Sequence, residues 1–466
     1  MNTSYKISIC LLMSIVLWYL PIPENMPIKG WHVAAIFFPV ILSFLLRPFP
    51  MGAMVIFGLL ALMITGTLTT KEAMSGYGDT TVWLVVAAFM IAGGVVKTGF
   101  GKRLALILIK LLGKSTLGLG YAFCGAELLL GPVIPSNTAR GGGILAPITR
   151  SLAETLESYP HKHPKRLGEY LVLVSAHANL ITAAMFLTGM AANPLVVRAA
   201  KDVLNIDFGW GMWALGAIVP GLIGLILLPL FVQLIARPEL KDTRPAQKQA
   251  AVHLEQMGAW KQSEIIMGLI CISLIVLWST KLFHGLSTTL VAWIGVSLLI
   301  LTKTLSWDDI IKNHSAWDTL IWLGGLLAMA SSLKDKGFID WFAANMQAMV
   351  GNFQGIYVVI ILALIYFYSM YAFSMLTGHI VALAVVFFGI ALSVHAPGML
   401  IVPLIAYFSN LCGCTTNYST GPVIIYFSLG YVQARTWFKV GFLMSLFHLA
   451  IWMGIGMAWW KYLGWW

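Results

Sequence analysis

The sequence predicts an all-α polytopic membrane protein of about eleven transmembrane helices, built from two inverted repeats of about five helices, each with a re-entrant hairpin and a broken helix. Three observations lead there: a strongly apolar composition, matching segments in the two halves, and polar clusters with Pro and Gly inside apolar runs.

Of 466 residues, 59% are hydrophobic and 10% charged, and the mean hydropathy of +0.85 lies far above that of a soluble domain. Runs approaching the ~20 apolar residues of a spanning helix recur from the start of the chain to Trp466. Ile7 to Leu20 has only Lys6 as a basic flank and no small-residue cleavage site, so it reads as a retained first helix instead of a cleaved leader. The net charge of +11, from 29 Lys and Arg against 18 Asp and Glu, fits the cation excess that insertion places in cytoplasmic loops. The expected partner is therefore the lipid bilayer and not nucleic acid. Cys10, Cys124, Cys271, Cys412 and Cys414 lie mostly within apolar runs with no His or Cys cluster beside them. Neither a disulfide framework, a metal site nor a cofactor is expected.

The longest polar break, Arg237 to Gln262, is rich in Lys and Arg and marks a cytoplasmic loop. It divides the chain into a leading helix (1–30), a first repeat (31–236), the loop (237–262) and a second repeat (263–466). The repeat is visible directly. Gly78-Asp79-Thr80-Thr81 resembles Trp317-Asp318-Thr319-Leu320 at an offset of 239, Thr67-Leu68 matches Thr304-Leu305 at 237, and Gly99-Phe100 matches Gly337-Phe338 at 238. Duplication of a whole helical bundle is the habit of secondary transporters. With a cytoplasmic amino terminus, the cationic segments at Arg47, Lys102–Lys114, His161–Arg166, Arg237–Lys261, Lys312 and Arg435-Lys439 all fall inside. This requires stretches near 117–150 and 370–394 to enter and leave on one side, and it inverts the halves.

The first such stretch contains Gly131-Pro132-Val133-Ile134-Pro135-Ser136-Asn137-Thr138-Ala139-Arg140-Gly141-Gly142-Gly143 between apolar arms too short to cross separately. A hairpin turning at Pro135 follows, with Ser136-Asn137 as the N-cap of its second arm and free N–H groups suited to an anion. The equivalent tip is Ser374-Met375-Leu376-Thr377-Gly378-His379, since Thr377 lies 239 positions after Thr138. Each hairpin is followed by an interrupted segment: Leu187-Thr188-Gly189-Met190-Ala191-Ala192-Asn193-Pro194 in the first half and Thr415-Thr416-Asn417-Tyr418-Ser419-Thr420-Gly421-Pro422 in the second. Polar residues with Gly and Pro at mid-run suggest helices broken at the midplane, where carbonyls bind cations and amides bind anions. Arg140 needs a cavity, a carboxylate or carbonyls, and Glu127 on the other arm is one structural partner. His379 is read either as a core residue or as a group that titrates near neutrality.

The strings Pro135-Ser136-Asn137-Thr138-Ala139-Arg140-Gly141-Gly142-Gly143 and Leu187-Thr188-Gly189-Met190-Ala191-Ala192-Asn193-Pro194 resemble the divalent anion:sodium symporter family. They look like its branch of 2-oxoglutarate/malate translocators and citrate/succinate antiporters, and the resemblance runs nearly the whole chain from the second helix onward. It implies a homodimer in a bacterial inner membrane, with a scaffold and an elevator-type transport region of hairpins and broken helices. It also implies exchange of di- or tricarboxylates such as malate, succinate, 2-oxoglutarate, citrate or tartrate. The candidate substrate-binding residues are Ser136, Asn137, Thr138, Arg140, Thr188, Gly189, Asn193, Ser374, Thr377, His379, Asn417, Thr420, Gly421 and Pro422.

One departure stands out. Sodium-coupled members place Ser-Asn-Thr at the second tip, where this chain has Met375-Leu376-Thr377, so sodium-independent antiport is expected, with Arg140 and His379 as fixed charge. Sodium-coupled symport is the alternative. An anion channel differs from both in lacking saturation and counterflow. A membrane serine hydrolase with Ser136 as nucleophile lacks an adjacent base in the sequence, although His177 or His379 could approach in space.

Overall fold

The computed structural model describes residues 2–350 and 355–466. Helices account for all of its regular structure, and no β-strand occurs among the described residues. Among the described residues, eight helices are long and apolar enough to cross a membrane, from Ile28–Leu46 to Ala434–Tyr462. Five further apolar helices are shorter, from Thr3–Tyr19 to Ile356–Ala372. Met51–Ile64 and Thr288–Leu301 have 14 residues each, about 21 Å of helix. Both end in the same turn. Thr65 and Thr67 share a hydroxyl hydrogen bond at 2.9 Å, as Thr302 and Thr304 do at 3.0 Å, and the residue between is left-handed in each case, Gly66 at φ 68° and Lys303 at φ 58°.

The order of elements after that turn also recurs. Thr69 and Glu72 form a capping box on Thr70–Met74, and Ser306 and Asp309 form one on Trp307–Ile311. The helices Thr80–Thr98 and His314–Asp335 follow and pack on each other. Lys97, at the end of the first, pairs with Asp309 before the second at 2.6 Å; Lys336, just past the second, pairs with Glu72 before the first at 2.5 Å. Each of these two carboxylates thus receives a lysine from the other half. Because the end of each helix meets the start of its equivalent, the two run antiparallel.

The interrupted helices form the interior. Every residue of Gly168–Met185 is buried, and Gly398–Leu411 is buried from Leu400 onward. A helix buried all round has no lipid or water face. After the breaks, Asn193–Leu204 packs on Leu376–Ser393, and Gly421–Ser428 packs on the Thr138–Leu145 segment. Each half thereby supplies the helix that lies on the other half's hairpin.

The segment read as a cytoplasmic loop contains a helix, Arg244–Met257, with Pro245 in its first turn and left-handed Gly258 as its stop. It packs on Phe100–Leu112. Arg103 fastens its end by donating to the carbonyls of Met257, Gly258 and Ala259 while pairing with buried Glu264 at 2.8 Å.

Candidate functional site

The first hairpin has arms Thr116–Leu130 and Thr138–Thr155, the second beginning as a π-helical stretch, Thr138–Leu145. Ser136 starts it: its Oγ accepts from the Ala139 N–H at 3.1 Å. Asn137, expected to share that capping role, is already helical at φ −57°, ψ −30°, and its amide turns outward from the hairpin to donate to Thr420 Oγ1 at 3.3 Å. Beside it, Thr138 lies against Gly421, where any Cβ would collide with Thr138 Oγ1. Pro422 is buried next to Gly141 of the same hairpin. The first tip and the second half's break therefore form one polar contact from residues more than 280 positions apart.

Arg140 is not available to a ligand. It is fully buried, pairs with Glu127 at 2.5 Å, and donates to the carbonyls of Ile134, Gly189 and Asn179 and to Thr182 Oγ1. A guanidinium has five N–H donors, and these five acceptors occupy them. The expectation of uncompensated charge at this position is corrected accordingly: the Glu127 carboxylate neutralises it. Asn179, which carried no assigned role, donates to Glu127 Oε1 at 2.9 Å and to the Asn137 carbonyl at 3.1 Å. Its signal in the sequence is the polar string Ser175-Ala176-His177-Ala178-Asn179 within an apolar run.

Three more candidates are spent on holding the first break in shape. Thr188 donates to the Pro132 carbonyl at 2.6 Å and accepts from Trp210 Nε1 at 3.0 Å. The Gly189 carbonyl receives Arg140. Asn193 donates to the carbonyls of Ala183 and Phe186 and accepts from Asn410 at 2.8 Å, which ties the two broken helices together. A helix interruption leaves backbone groups unpaired, and these side chains satisfy them.

The second tip runs from Phe373 to Met375 between Ile356–Ser369 and Leu376–Ser393. Its backbone reaches the second break through the Leu376 N–H, which donates to the Ser419 carbonyl at 2.9 Å. Thr377 is partly exposed in the first turn of the arm. Asn417 is partly exposed in the break. The Ser374 hydroxyl is buried without a partner among the described residues. His379 is fully buried, with Nε2 at 2.8 Å from Ser369 Oγ and 3.0 Å from the Tyr366 carbonyl. Arg140 is taken up by buried acceptors of the hairpin and of the broken helix behind it, and His379 Nε2 by its own hairpin, so neither supplies a charge facing a cavity.

A cavity of about 390 Å³ opens beside the first tip, between Ser136 and Ala139 on one side and Phe89, Gly93, Lys97, Lys312 and Asn313 on the other. It has the size of a small-molecule site.

The family profile for the "Sodium:sulfate symporter transmembrane region" matches residues 2–466. YflS of Bacillus subtilis, named as a malate transporter, is 42% identical over 97% of this chain and 95% of its own length. The citrate/succinate antiporter of Escherichia coli is 31% identical over 95% of this chain and 94% of its own. In fold alone, the chain resembles the solved YdaH transporter of Alcanivorax borkumensis, with a TM-score of 0.57 at 14% identity over 99% of this chain and 97% of that one. The profile match over nearly the entire chain and these identities establish that the protein is a membrane transporter, not an enzyme, and belongs to the sodium:sulfate symporter family.

Proposed function

We propose that the chain exchanges di- or tricarboxylates, such as malate, succinate, 2-oxoglutarate, citrate or tartrate, across a bacterial inner membrane. The observation that carries this reading is the meeting of Asn137 and Thr138 with Thr420 and Gly421. Two helix starts converge there, each with unpaired N–H groups and a positive dipole end. The Thr138 and Thr377 hydroxyls make no hydrogen bond among the described residues, which suits them to a carboxylate. The names of YflS and the citrate/succinate antiporter point to the same class of substrate.

Exchange without sodium is supported by the missing asparagine in Met375-Leu376-Thr377 and by the antiporter among the relatives. Symport is the second reading. It is favoured by the neutralisation of Arg140, which leaves a substrate's charge to be met by some other cation. In either case the hairpins and broken helices move as a unit within a homodimer, with the amino terminus and residues 237–262 on the cytoplasmic side.

Counterflow in proteoliposomes tests the proposal. Vesicles loaded with unlabelled dicarboxylate should accumulate labelled succinate or citrate with potassium replacing sodium, and empty vesicles should not. Sodium-driven uptake into empty vesicles would establish symport instead, and no counterflow of any of these acids would end the carboxylate reading.

A further inference from the structure

Since Arg140 and His379 are both buried and bonded to other protein groups, the positive charge that a dianion needs has to come from elsewhere. The second tip has one such source on an element outside the hairpins. Arg47 terminates the helix Ile28–Leu46 in a left-handed conformation, φ 51°, ψ 58°, which turns the chain sharply. Its Nη2 donates to the carbonyl of Ser374 at 3.2 Å. One turn earlier, Phe44 lies against Gly378, where an added Cβ would sit 3.8 Å from the Phe44 Cβ. The end of this helix thus brackets Thr377 between its contacts at Ser374 and Gly378.

The guanidinium is otherwise uncommitted. Arg47 is exposed and forms no ion pair among the described residues, and one carbonyl leaves most of its five donors open. It lines a cavity of about 420 Å³ with Met375 of the tip. The Ser374 hydroxyl beside it is buried and unpartnered. A planar fork with two parallel N–H donors is the side chain best matched to a carboxylate. An arginine facing only lipid headgroups has no need of a carbonyl on a hairpin tip.

We infer that Arg47 is a specificity-determining residue for the reaction proposed above, receiving one carboxylate of the substrate at the second tip, beside Thr377. Because it sits on the helix end that the cationic pattern assigns to the cytoplasm, it acts on substrate entering from that face. A dicarboxylate engages both ends of the site, and a monocarboxylate only one.

The test uses the full-length protein in oriented proteoliposomes, with succinate and butyrate as paired probes. Arg47→Gln should raise the half-saturation concentration for succinate about ten- to hundredfold from the cytoplasmic face, the worth of a charge-assisted hydrogen bond. The external face should change little, and butyrate should compete nearly as well as succinate. Arg47→Lys should restore part of the discrimination because it keeps the charge and loses the fork. A lower maximal rate with unchanged half-saturation, or an equal loss from both faces, would make Arg47 a structural tie to Ser374 and overturn the inference. Failure of the unsubstituted protein to exchange succinate would instead defeat the carboxylate reading itself.

Discussion

Glu127 and Arg140 join the two arms of the first hairpin through an ion pair of 2.5 Å in which neither side chain is exposed. Asn179 and Thr182 donate to the same carboxylate, so the pair also fixes the interrupted helix behind the tip. Glu127→Gln leaves a buried guanidinium without its counter-charge, a loss of about 3–5 kcal/mol for pairs of this kind. We expect a markedly lower Tm in detergent and little folded protein. Arg140→Lys should also destabilise, because three donors on an ammonium cannot replace five on a fork. A Glu127→Gln variant with unchanged Tm would show that the pair does not hold the hairpin.

Thr138 and Thr377 carry the sharpest expectation for transport. Their hydroxyls have no internal hydrogen bond among the described residues, so removing either should cost substrate affinity and not stability. Thr138→Ala and Thr377→Ala should each raise half-saturation about tenfold or more, from the ~1.5–3 kcal/mol of a charge-assisted bond, with Tm unchanged. Unaltered half-saturation in both would remove the threonines from the site.

Arg198 links the helix after the first break to the outer framework. It donates to Asp79 Oδ2 at 2.9 Å, to Asp202 at 2.8 Å and to Ser331 Oγ at 3.0 Å. The proposed movement of the hairpins and broken helices against Thr80–Thr98 would break the first of these. Asp79→Asn keeps the helix cap that Asp79 gives Thr81 and removes the charge. With the pair partly exposed and worth no more than about 1 kcal/mol, the variant should alter the maximal exchange rate by up to about fivefold at unchanged Tm. An identical rate would mean that this contact does not oppose the movement.

Acid should loosen the framework at its two reciprocal pairs. Lys336 beside Glu72 and Lys97 beside Asp309 each hold a carboxyl down at about 2, below the ordinary 4.5 and 3.8. A depressed carboxylate contributes its stability above the unfolded value and loses it as pH falls through the folded one. Tm in detergent should therefore decline between about pH 4.5 and 2, modestly because the pairs are partly exposed. A Lys97→Gln/Lys336→Gln variant should show a shallower decline, and an equally steep one would assign the acid sensitivity to other groups.

Particular residues show what the sequence could and could not disclose. The membrane class follows from composition, and the interruptions near Thr188 and Thr420 follow from Gly and Pro in apolar runs, since both are properties of the local chain. The partner of Arg140 was only one of several options because the sequence states that a buried arginine needs neutralising without stating by which group. Asn179 and Asn410 went unassigned for a related reason: an amide in an apolar helix does not announce the direction it faces. The helix Arg244–Met257 is not legible in the sequence because its buried positions, Ala246 and Ala250, are small and make no apolar stripe.

The crossed lysines of the framework bear on how the chain is made. When synthesis has reached residue 262, Lys97 and Glu72 have both been made, yet Asp309 and Lys336 have not been translated. Until they arrive, the amino-terminal half carries a cation and an acid awaiting partners at opposite ends of Thr80–Thr98, and the carboxy-terminal half has the complementary vacancies. The pairs themselves are worth little, but each half also lacks the helix that lies on its hairpin, Gly421–Ser428 for the first and Asn193–Leu204 for the second. Two halves expressed as separate polypeptides should consequently be stable only when made together.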